Sequence, residues 1–409
     1  MIEGAEELIG VEIRNLDLFA KRGKAWSKIP HQVDEKNEHG DYVLSDGLPY
    51  TKNTDDGIFD ANDELVFWGE HVGESFTRDE IPAATLADAR QVSVLRICRH
   101  DNRIGDLLVV WNEHPKNYLG QSSGAWFDRR SGVVTSDLYE YKFHAEHPAL
   151  LGDVVLLSGG EKFPIFAKSQ FLMPLETAWY LPDLWFRDED FTSRIESWQV
   201  GPVRTIVAVG VKYSAFLGLF KLHLFSELVF YRNRFQIPTV IEFMFEPDGV
   251  LNPGSGLAYA LTFPEGRPWE IRSNLERLPA DDPEKLAARR GDAAKHERFF
   301  ARGSRPEGSF QVEVVVDPEA AKQVPPPFLI GPREFDGPAF REHWPWLAEI
   351  PGDLGLFLDI SMVKKGTYDF GLDLVLSPKA KKSFADYGFV SAFWSRVPIL
   401  DSRGGTEKP

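Results

Sequence analysis

The sequence predicts a mainly β protein, in which a large antiparallel β-sandwich is joined to a smaller N-terminal β-domain and carries one or two short helices. Three observations lead to this prediction. Apolar and polar residues alternate along many short segments, which is the period of a strand with one buried face. Aromatic residues make up 13% of the 409 residues whereas Met occurs only 4 times, a balance that favours strands over helical bundles. Gly, Pro and Asp separate the alternating segments, as expected for turns.

The chain is long enough for one large domain or for two of ordinary size. The segment 112–124 is rich in Gly, Ser and Asn, a composition typical of a loop between domains. We therefore predict an N-terminal β-domain with an acidic turn over residues 1–120 and the larger β-sandwich over residues 121–409.

The alternation is clearest in the second half of the chain. In the segment 219–230 apolar side chains occupy most even positions, while Lys221, His223 and Glu227 occupy odd positions. These three residues also make the segment too polar in its centre for a membrane helix, and we predict no membrane span. Further segments with the same alternation are 203–212, 311–316, 354–363 and 368–376.

Turn and helix signals are fewer. The segment 364–366 (Lys-Lys-Gly) lies between two predicted strands and predicts a hairpin turn. Asp282 followed by Pro283 predicts the start of a helix, in an Ala-rich segment that runs to Phe300. A second short helix is predicted over 337–348, where apolar side chains would share one face.

Composition disfavours several classes of function. The chain has 62 acidic and 46 basic residues, and its formal net charge of −16 disfavours nucleic acid as a partner. The single cysteine, Cys98, excludes an internal disulfide and a multi-cysteine metal site. No H-E-x-x-H motif, Walker loop or G-x-G-x-x-G after a strand occurs, so no nucleotide or organic cofactor is indicated. The residues Met1–Ala5 lack the basic and apolar regions of a signal peptide.

The acidic turn has part of the pattern of a calcium-binding loop. An EF-hand-type loop has a glycine at its sixth position, which Gly57 would fill, and oxygen ligands at fixed positions around it. Lys52 would then stand at the first ligand position, where it cannot bind the ion, and Thr54 at the third, where it is a weak ligand. The alternative is an Asx-rich turn that leads into the predicted strand 65–68. The predicted Ca²⁺ ligands are Asp56, Ile58 through its carbonyl, Asp60 and Asp63.

Two histidines near the middle of the chain are candidate functional residues. His144 and His147 are three residues apart, but the alternation before them and Pro148 after them indicate a strand followed by a turn. Residues three apart on a strand point to opposite faces, so a joint metal site is not expected. Either histidine could serve as a general base, or it could simply be solvated or bonded within the core.

Basic and aromatic residues lie on consecutive predicted strands. If neighbouring strands align these residues on one face, they would form a groove that binds a carboxylate and stacks on a sugar ring or another flat ligand. The alternative is that the charges form the solvent-exposed face of a sheet. The predicted ligand-binding residues are Lys212, Phe216, Phe220, His223, Arg232 and Arg234.

Four segments resemble known bacterial β-proteins. Residues 29–35 (IPHQVDE) and 56–67 (DGIFDANDELVF) resemble a group of uncharacterised exported bacterial β-proteins, in which a PxQ(V/I)DE element precedes a DGxFDxxDELVF element. Residues 127–134 and 201–204 are similar to strand openings in the β-sandwich domains of polysaccharide lyases and mutarotase-like proteins. The resemblance implies a β-sandwich located in the periplasm or outside the cell, and it implies no catalytic residue.

Two functions are therefore predicted as alternatives. The first is the binding or processing of a saccharide that could contain uronate. In a lyase, Tyr or His would remove the proton beside the uronate carboxylate while Arg neutralises that carboxylate. The residues predicted for these roles are Tyr141, His144, Arg204 and Tyr231.

The second function is that of a non-catalytic envelope protein that binds a lipid, another apolar ligand or a partner subunit. Its contact residues would be Phe216, Leu217, Leu219, Phe220 and Phe225. An open cleft with converging His, Tyr and Arg side chains would favour the enzyme. A closed apolar cavity without converging polar groups would favour the binding protein.

Overall fold

The computed structural model confirms the mainly β class with several antiparallel sheets. Within the residues that it describes, no helix has both the length and the apolar composition that a bilayer crossing requires. The described residues are 2–3, 8–38, 40–48, 57–98, 104–114, 124–177, 183–215, 220–243, 250–264, 269–277, 289–295, 299–330, 346, 353–378 and 391–393.

The chain forms two compact units. Unit 1 comprises Met1–Ala125, Gln199–Thr205 and Ser383–Pro409, and unit 2 comprises Trp126–Trp198 and Ile206–Lys382. The boundary predicted at residue 120 falls within 115–123, which lies outside the described residues.

Unit 1 contains two sheets. In sheet A the order is β1-β6-β4, and in sheet B it is β28-β7-β8-β2-β3. The strands of sheet A are β1 (Ile2–Glu3), β4 (His31–Asp34) and β6 (Glu64–Phe67). The strands of sheet B are β2 (Leu16–Arg22), β3 (Ala25–Ile29), β7 (Ala89–Cys98), β8 (Ile104–Asn112) and β28 (Ser391–Phe393). The short strand β5 (Asp46–Gly47) also belongs to this unit.

Sheet B provides most of the core of unit 1. Leu18, Leu95 and Leu107 on its strands have no exposed surface and belong to one apolar cluster. Phe59 and Leu65, from the predicted acidic turn and the strand after it, pack into the same cluster. Burial of each large apolar side chain contributes about 1.5–3 kcal/mol. The end of the acidic turn is therefore fixed in unit 1 by the apolar residues within and after it.

A buried ion cluster lies at the edge of sheet A. Asp34 and Glu64 are directly opposite each other on β4 and β6, so two carboxylates face the same side. Arg204 is 1% exposed and bonds to both: its Nε donates to Asp34 Oδ2 at 2.6 Å, and an Nη donates to Glu64. Lys36 Nζ pairs with Glu64 Oε1 at 2.5 Å. Two cations thus balance two carboxylates that would otherwise repel each other.

The pKa values of these carboxyls follow from their surroundings. Burial raises the pKa of Asp34, and the charge of Arg204 opposes that rise only in part. Burial would also raise the pKa of Glu64, but Arg204 and Lys36 together hold it below its ordinary value. Gln32 completes the cluster, since its Oε1 accepts the backbone N–H of Arg204 at 3.1 Å.

Unit 2 is a two-layer sandwich. Sheet C forms one layer, in the order β21-β23-β24-β27-β19-β18-β17-β16. Its strands are β16 (Phe191–Val200), β17 (Arg204–Ala215), β18 (Phe220–Tyr231), β19 (Arg234–Phe243), β21 (Glu270–Ser273), β23 (Phe299–Arg305), β24 (Gly308–Val316) and β27 (Gly366–Ser377).

Two further sheets form the second layer. Sheet D has the order β13-β12-β11-β10-β9, and sheet E has the order β15-β14-β20-β26-β25-β22. The strands of sheet D are β9 (Trp126–Asp128), β10 (Val133–Thr135), β11 (Tyr139–Lys142), β12 (Asp153–Ser158) and β13 (Glu161–Phe166). The strands of sheet E are β14 (Lys168–Leu175), β15 (Leu184–Arg187), β20 (Gly256–Thr262), β22 (Glu276–Arg277), β25 (Phe328–Ile330) and β26 (Leu354–Asp359).

Sheets D and E cover the same face of sheet C. Phe235 and Ile237 are two residues apart on β19, so their side chains share one face. The Phe235 ring lies 5.0 Å from the ring of Tyr141 in sheet D. Ile237 lines a cavity together with Leu356 of sheet E. The apolar side chains on one face of the strands of sheet C therefore form the interior of the sandwich.

Strand β17 differs from the half-buried strand predicted for residues 203–212. All side chains from Val203 to Val211 are buried, so both faces of this part of the strand are covered. Arg204 is on the face that the alternation assigned to solvent, and it is nevertheless buried in the ion cluster. The reason is local composition, because Ile206, Ala208 and Gly210 on that same face are apolar or small and suit a strand covered on both faces.

The hairpin predicted at 364–366 is wrong. Strand β26 belongs to sheet E and β27 to sheet C, so the chain crosses from one layer of the sandwich to the other between Asp359 and Gly366. A tight turn and a crossover between layers both favour polar residues and Gly. The local pattern therefore does not distinguish the two.

Part of the helix predicted up to Phe300 is also wrong. A 3-10 helix covers Asp292–Lys295, and β23 begins at Phe299. The proposed start of this helix lies in 278–288, outside the described residues, as does 337–348 except for Trp346.

An α-helix that the sequence analysis missed, α1 (Pro318–Ala321), follows β24. Asp317 caps this helix by accepting the N–H groups of Glu319 and Ala320 at 2.7 and 3.0 Å. The residues Asp, Pro and Glu stand in the same order as at 282–284. The signal was therefore present in the sequence, although the helix is only four residues long.

Replacement of Arg204 tests the ion cluster. Arg204→Ala leaves two buried carboxylates without their shared cation, and we expect it to lower the free energy of unfolding by about 3–5 kcal/mol at pH 7. The loss should become smaller toward pH 5, because protonation of one of the two carboxylates removes the repulsion between Asp34 and Glu64 that Arg204 no longer offsets. Urea unfolding followed by tryptophan fluorescence measures both effects.

The matched control is Arg14→Ala, because Arg14 pairs with Glu12 at a surface position where its side chain is 71% exposed. We expect this substitution to cost less than about 1 kcal/mol. An equal loss in the two variants would contradict the assigned role of Arg204.

Candidate functional site

The candidate site is a cavity of about 160 Å³ between sheets C and E of unit 2. Ile237, Leu372 and Val314 are neighbours across β19, β27 and β24 and form one wall. Phe171, Tyr259 and Leu356 are neighbours across β14, β20 and β26 and contribute to the opposite wall. A cavity of about 150 Å³ lined by apolar side chains holds a benzene-sized molecule. The cavity is therefore large enough for a small ligand.

The described lining also contains polar side chains, and three of them bond to the backbone at or near the loop 147–151. His147 Nδ1 lies 3.0 Å from the Phe191 carbonyl oxygen, and because a carbonyl only accepts, Nδ1 carries the proton. Ser193 Oγ accepts the N–H of Ala149 at 3.2 Å, and the Tyr259 hydroxyl oxygen accepts the N–H of Leu151 at 2.7 Å. Each of these groups bonds to the backbone.

These bonds fix the loop 147–151 over the strands that line the cavity. Gly152 ends the loop in a position that only glycine fits, since a Cβ there would lie 1.8 Å from the Lys142 carbonyl oxygen. His144 supports the start of the loop, because its Nδ1 accepts the N–H of His147 at 3.1 Å. The two imidazole rings lie 5.5 Å apart. The predicted strand and turn at this position are thus observed, and the turn places His147 at the cavity.

Asp188 is the one carboxylate in the described lining, which contains no Lys or Arg. It lies in the 3-10 helix Asp188–Asp190 between β15 and β16. Its Oδ1 accepts the N–H of Phe171 at 2.6 Å. Burial, and to a smaller extent the charge of Asp188, raises the pKa of Tyr259 above its ordinary value. The tyrosine is therefore a neutral hydrogen-bonding group at physiological pH.

Tyr141, predicted as a proton acceptor, is fully buried between sheets C and D. Its hydroxyl donates to the Leu150 carbonyl at 3.2 Å and accepts the N–H of Gly152 at 3.0 Å. Burial raises the pKa of Tyr141 well above its ordinary value, which opposes formation of the tyrosinate. The hydroxyl thus supports the loop that closes the cavity.

The other predicted catalytic residues are not brought together with Tyr141. His144 is exposed on the loop that precedes the cavity. Arg204 is enclosed by the ion cluster of unit 1, whereas Tyr141, His144 and Tyr231 belong to unit 2. Tyr231 is half-buried, and the guanidinium of Arg234 lies 5.5 Å from its ring centre. Their catalytic roles stay predictions.

Two residues of the predicted basic groove form ion pairs in unit 2. Arg232 Nε lies 3.4 Å from Asp137 Oδ2, and Arg234 pairs with Asp373. Burial raises the pKa of Asp373 to about 6, although Arg234 opposes the rise. Asp373 alternates with Leu372 of the cavity wall, so it lies on the opposite face of β27. No side chain of Lys212, Phe216, Phe220 or His223 is among the described ones, and 216–219 lie outside the described residues altogether.

The described part of the acidic turn lies in unit 1 and is held by Asp side chains that accept backbone N–H groups. Asp63 is 1% exposed; its Oδ1 accepts the N–H of Lys36 and its Oδ2 that of Asp60, both at 2.9 Å. Ile58 forms a β-bridge with Glu12. Asp56 lies outside the described residues. Within the described part of the chain, no three His, Cys, Asp or Glu side chains are placed to hold a metal ion together, and the Ca²⁺ site stays a prediction.

The sequence pointed to His147 but not to the other polar residues of the cavity. Asp188 belongs to an acidic run directly before an alternating segment. This pattern indicates a turn before a strand, but it does not indicate which residues the turn contacts. Tyr259 lies on β20, whose neighbours β14 and β26 are distant in sequence. Neither that pairing nor the packing of sheet C against sheet E, which brings Ser193 of β16 to the same cavity, has a local signal.

A further group missed by sequence reasoning is Glu176, at the end of β14. Burial, with smaller contributions from the negative charges of Asp183 and Asp359, raises its pKa to about 7. Asp359 is 1% exposed and accepts the N–H of Gly254 at 2.8 Å. Three acidic side chains thus influence one another at this end of sheet E.

Glu176→Gln tests this environment through its pH dependence. The folded-state pKa of about 7 lies above the ordinary value of 4.5, so the folded chain loses stability as pH rises through this range. Gln mimics the protonated carboxyl and should therefore stabilise the protein at pH 8 by about 1 kcal/mol, with little effect at pH 5, after allowance for solvent screening. Urea unfolding at the two pH values provides the measurement.

The control for this experiment is Glu161→Gln at an exposed position on β13. We expect it to change the free energy of unfolding by less than about 0.5 kcal/mol at both pH values. A destabilised Glu176→Gln variant at pH 8 would refute the proposed environment of the carboxyl.

Asp63→Ala tests whether Asp63 only stabilises the turn or also binds Ca²⁺. It removes the acceptors of two backbone N–H groups and should cost about 1–3 kcal/mol with or without calcium. Asp60→Ala is the matched variant: Asp60 is also a predicted ligand, but its Oδ1 accepts only the N–H of Asn62 at 3.4 Å, so this change should cost little stability and should still abolish any effect of calcium. A rise in Tm on adding millimolar Ca²⁺ that Asp63→Ala abolishes would support the site, and equal Tm values in calcium and chelator would contradict it.

No protein-family model and no curated protein matches the chain. Among solved structures, an alpha-mannosidase from Enterococcus faecalis V583 is similar at a TM-score of 0.36 and 9% identity, over 94% of this chain and 47% of that one. A protein in glycosyl hydrolase family 38 from Enterococcus faecalis is similar at the same TM-score and identity, over 94% of this chain and 48% of that one. The chain thus spans about half the length of these two proteins. At this TM-score the similarity establishes neither a shared fold nor a shared activity.

Proposed function

We propose that unit 2 binds a small apolar molecule in the cavity between sheets C and E, and that the chain acts as a binding protein rather than as an enzyme. The observation that carries this proposal is the lining of the cavity. Apolar side chains from two sheets form its walls, and the polar side chains His147, Ser193 and Tyr259 of its lining bond to the backbone. His147 and Tyr259 are in the lining, but the described lining contains no Arg, and this supports the binding protein over the enzyme predicted to use His, Tyr and Arg together.

The walls are suited to binding without rearrangement. Ile237, Leu372 and Leu356 lie on paired strands, so their positions are fixed before a ligand enters. Transfer of apolar ligand surface from water to such walls is worth roughly 25 cal/mol per Å² before the costs of association. A preformed apolar cavity keeps those costs small.

A saccharide fits this lining less well. Each sugar hydroxyl gives up hydrogen bonds to water on entry, which costs free energy unless the protein replaces them. The described lining is mostly apolar. Its polar side chains include those of His147, Asp188, Ser193 and Tyr259. Saccharide binding or processing therefore stays a prediction from the sequence, as does export to the periplasm or the cell exterior.

Blocking the cavity tests the proposal. We expect saturable binding of a neutral probe, 2-phenylethanol, with a rise in Tm as its concentration increases. Leu372→Trp replaces an aliphatic side chain of the lining by a larger aromatic one that fills the cavity. It should weaken binding at least tenfold, as measured by isothermal titration calorimetry. Leu372→Met is the matched control, because it conserves volume and should keep the dissociation constant within about threefold.

Two results would contradict the proposed function. The first is the absence of binding by 2-phenylethanol to the folded protein. The second is binding that Leu372→Trp leaves unchanged while the variant remains folded. Binding of an oligosaccharide such as a polyuronate, without binding of the apolar probe, would instead support the function predicted first from the sequence.

A further inference from the structure

We propose that the ligand of this cavity carries a hydroxyl group on its apolar body, and that this hydroxyl donates a hydrogen bond to His147 and accepts one from Ser193. The inference rests on the proposed function and names the class of ligand, which is a small apolar alcohol. It follows from the hydrogen bonds that these two side chains make within the protein and from the capacity that they retain.

His147 provides an acceptor. Its Nδ1 carries the proton, because this atom lies 3.0 Å from the Phe191 carbonyl oxygen, which can only accept. In the neutral ring Nε2 is then an acceptor on the other side of the ring from Nδ1. The half-buried side chain lines the cavity, and among the described residues Nε2 has no hydrogen-bond partner. A ligand without a donor would cover this nitrogen and leave it unpaired.

Ser193 provides a donor. Its Oγ accepts the N–H of Ala149 at 3.2 Å, and the O–H group of the same side chain remains able to donate. This O–H has no acceptor within the part of the chain that the structure describes. The Tyr259 hydroxyl is more fully engaged, because it bonds to Ser169 as well as to the N–H of Leu151. Ser193 is therefore the hydroxyl of this lining with a donor to offer.

The acceptor and the donor lie on two segments that run beside each other. His147 bonds to Phe191 and Ser193 bonds to Ala149, so loop residues 147 and 149 lie beside residues 191 and 193 of β16. Phe191 and Ser193 are two residues apart on this strand and share a face, and both line the cavity. A hydroxyl has one donor and two acceptor lone pairs, so a single ligand oxygen can bond to both side chains.

Other head groups match this pair less well. An ether or carbonyl oxygen accepts from Ser193 but has no donor for His147. A hydrocarbon removes both groups from water and replaces neither hydrogen bond, which costs free energy. The apolar walls accept the remainder of the ligand, and a volume of about 160 Å³ limits that remainder to roughly the size of one ring.

The test compares three probes with the same number of non-hydrogen atoms: 2-phenylethanol, benzyl methyl ether and propylbenzene. The alcohol has a donor and an acceptor, the ether has an acceptor only, and the hydrocarbon has neither. Isothermal titration calorimetry at pH 8 on the full chain should show the alcohol binding at least about tenfold more tightly than the ether, because the ether leaves Nε2 unpaired.

Two variants assign the two bonds. His147→Asn removes Nε2 but keeps an amide that can donate to the Phe191 carbonyl, and the advantage of the alcohol over the ether should fall below about threefold. Ser193→Ala should weaken the alcohol and the ether at least about fivefold and leave propylbenzene within about twofold. A change that only loosened the loop would weaken all three probes. His144→Asn is the matched control, because His144 is exposed and lies outside the described lining, and it should change neither ratio.

A measurement on the unaltered protein applies even if a variant fails to fold. The nitrogen-15 resonance of His147 Nε2 should shift when 2-phenylethanol binds and should stay in place when propylbenzene binds. Only the alcohol donates a hydrogen bond to this nitrogen.

The outcomes separate this inference from the proposed function. Alcohol binding that is no tighter than ether binding, or an advantage that survives His147→Asn, overturns the inference and leaves the apolar cavity as the binding site. An Nε2 resonance that bound alcohol does not shift overturns it as well, and so does an equal loss of all three affinities in Ser193→Ala. Failure of all three probes to bind overturns the proposed function and this inference together.

Discussion

The inner face of sheet C is the constraint on which unit 2 depends. One apolar face has to be covered by two separate sheets, and only Ala167 separates the last strand of sheet D from the first strand of sheet E. Sheet D fills its share with aromatic rings, since Tyr141 lies 4.9 Å from Phe230 and 5.0 Å from Phe235. Sheet E covers the adjoining part across the cavity. The cavity thus results from unequal filling of one continuous apolar face.

Buried polar groups in both units follow one rule, which is that burial requires a partner. In unit 1, Arg204 and Lys36 make the burial of two facing carboxylates tolerable. In unit 2, Tyr141 is neutral and bonds to the backbone at both its donor and its acceptor. Glu176 follows the other route, because its raised pKa favours the neutral acid. A perturbed group is therefore first a consequence of packing, and it indicates chemistry only where a ligand can reach it.

Strand alternation predicted much of the fold and little of the site. Segments such as 368–376 were recognisable because one face of β27 is apolar along its whole length. The same reasoning failed at 364–366, where a crossover between layers has the composition of a hairpin turn. It also placed Arg204 at a solvent-exposed or ligand-binding face, although the small residues that follow it favour burial on both sides. The cavity had no local signal at all, since it depends on which distant strands become neighbours.

The backbone bonds made by the polar residues of the cavity hold part of its lining in place. His147, Ser193 and Tyr259 hold the loop 147–151 in place before any ligand is present, so binding does not have to order this loop. A preordered apolar wall distinguishes ligands weakly, because one methylene more or less changes affinity only modestly.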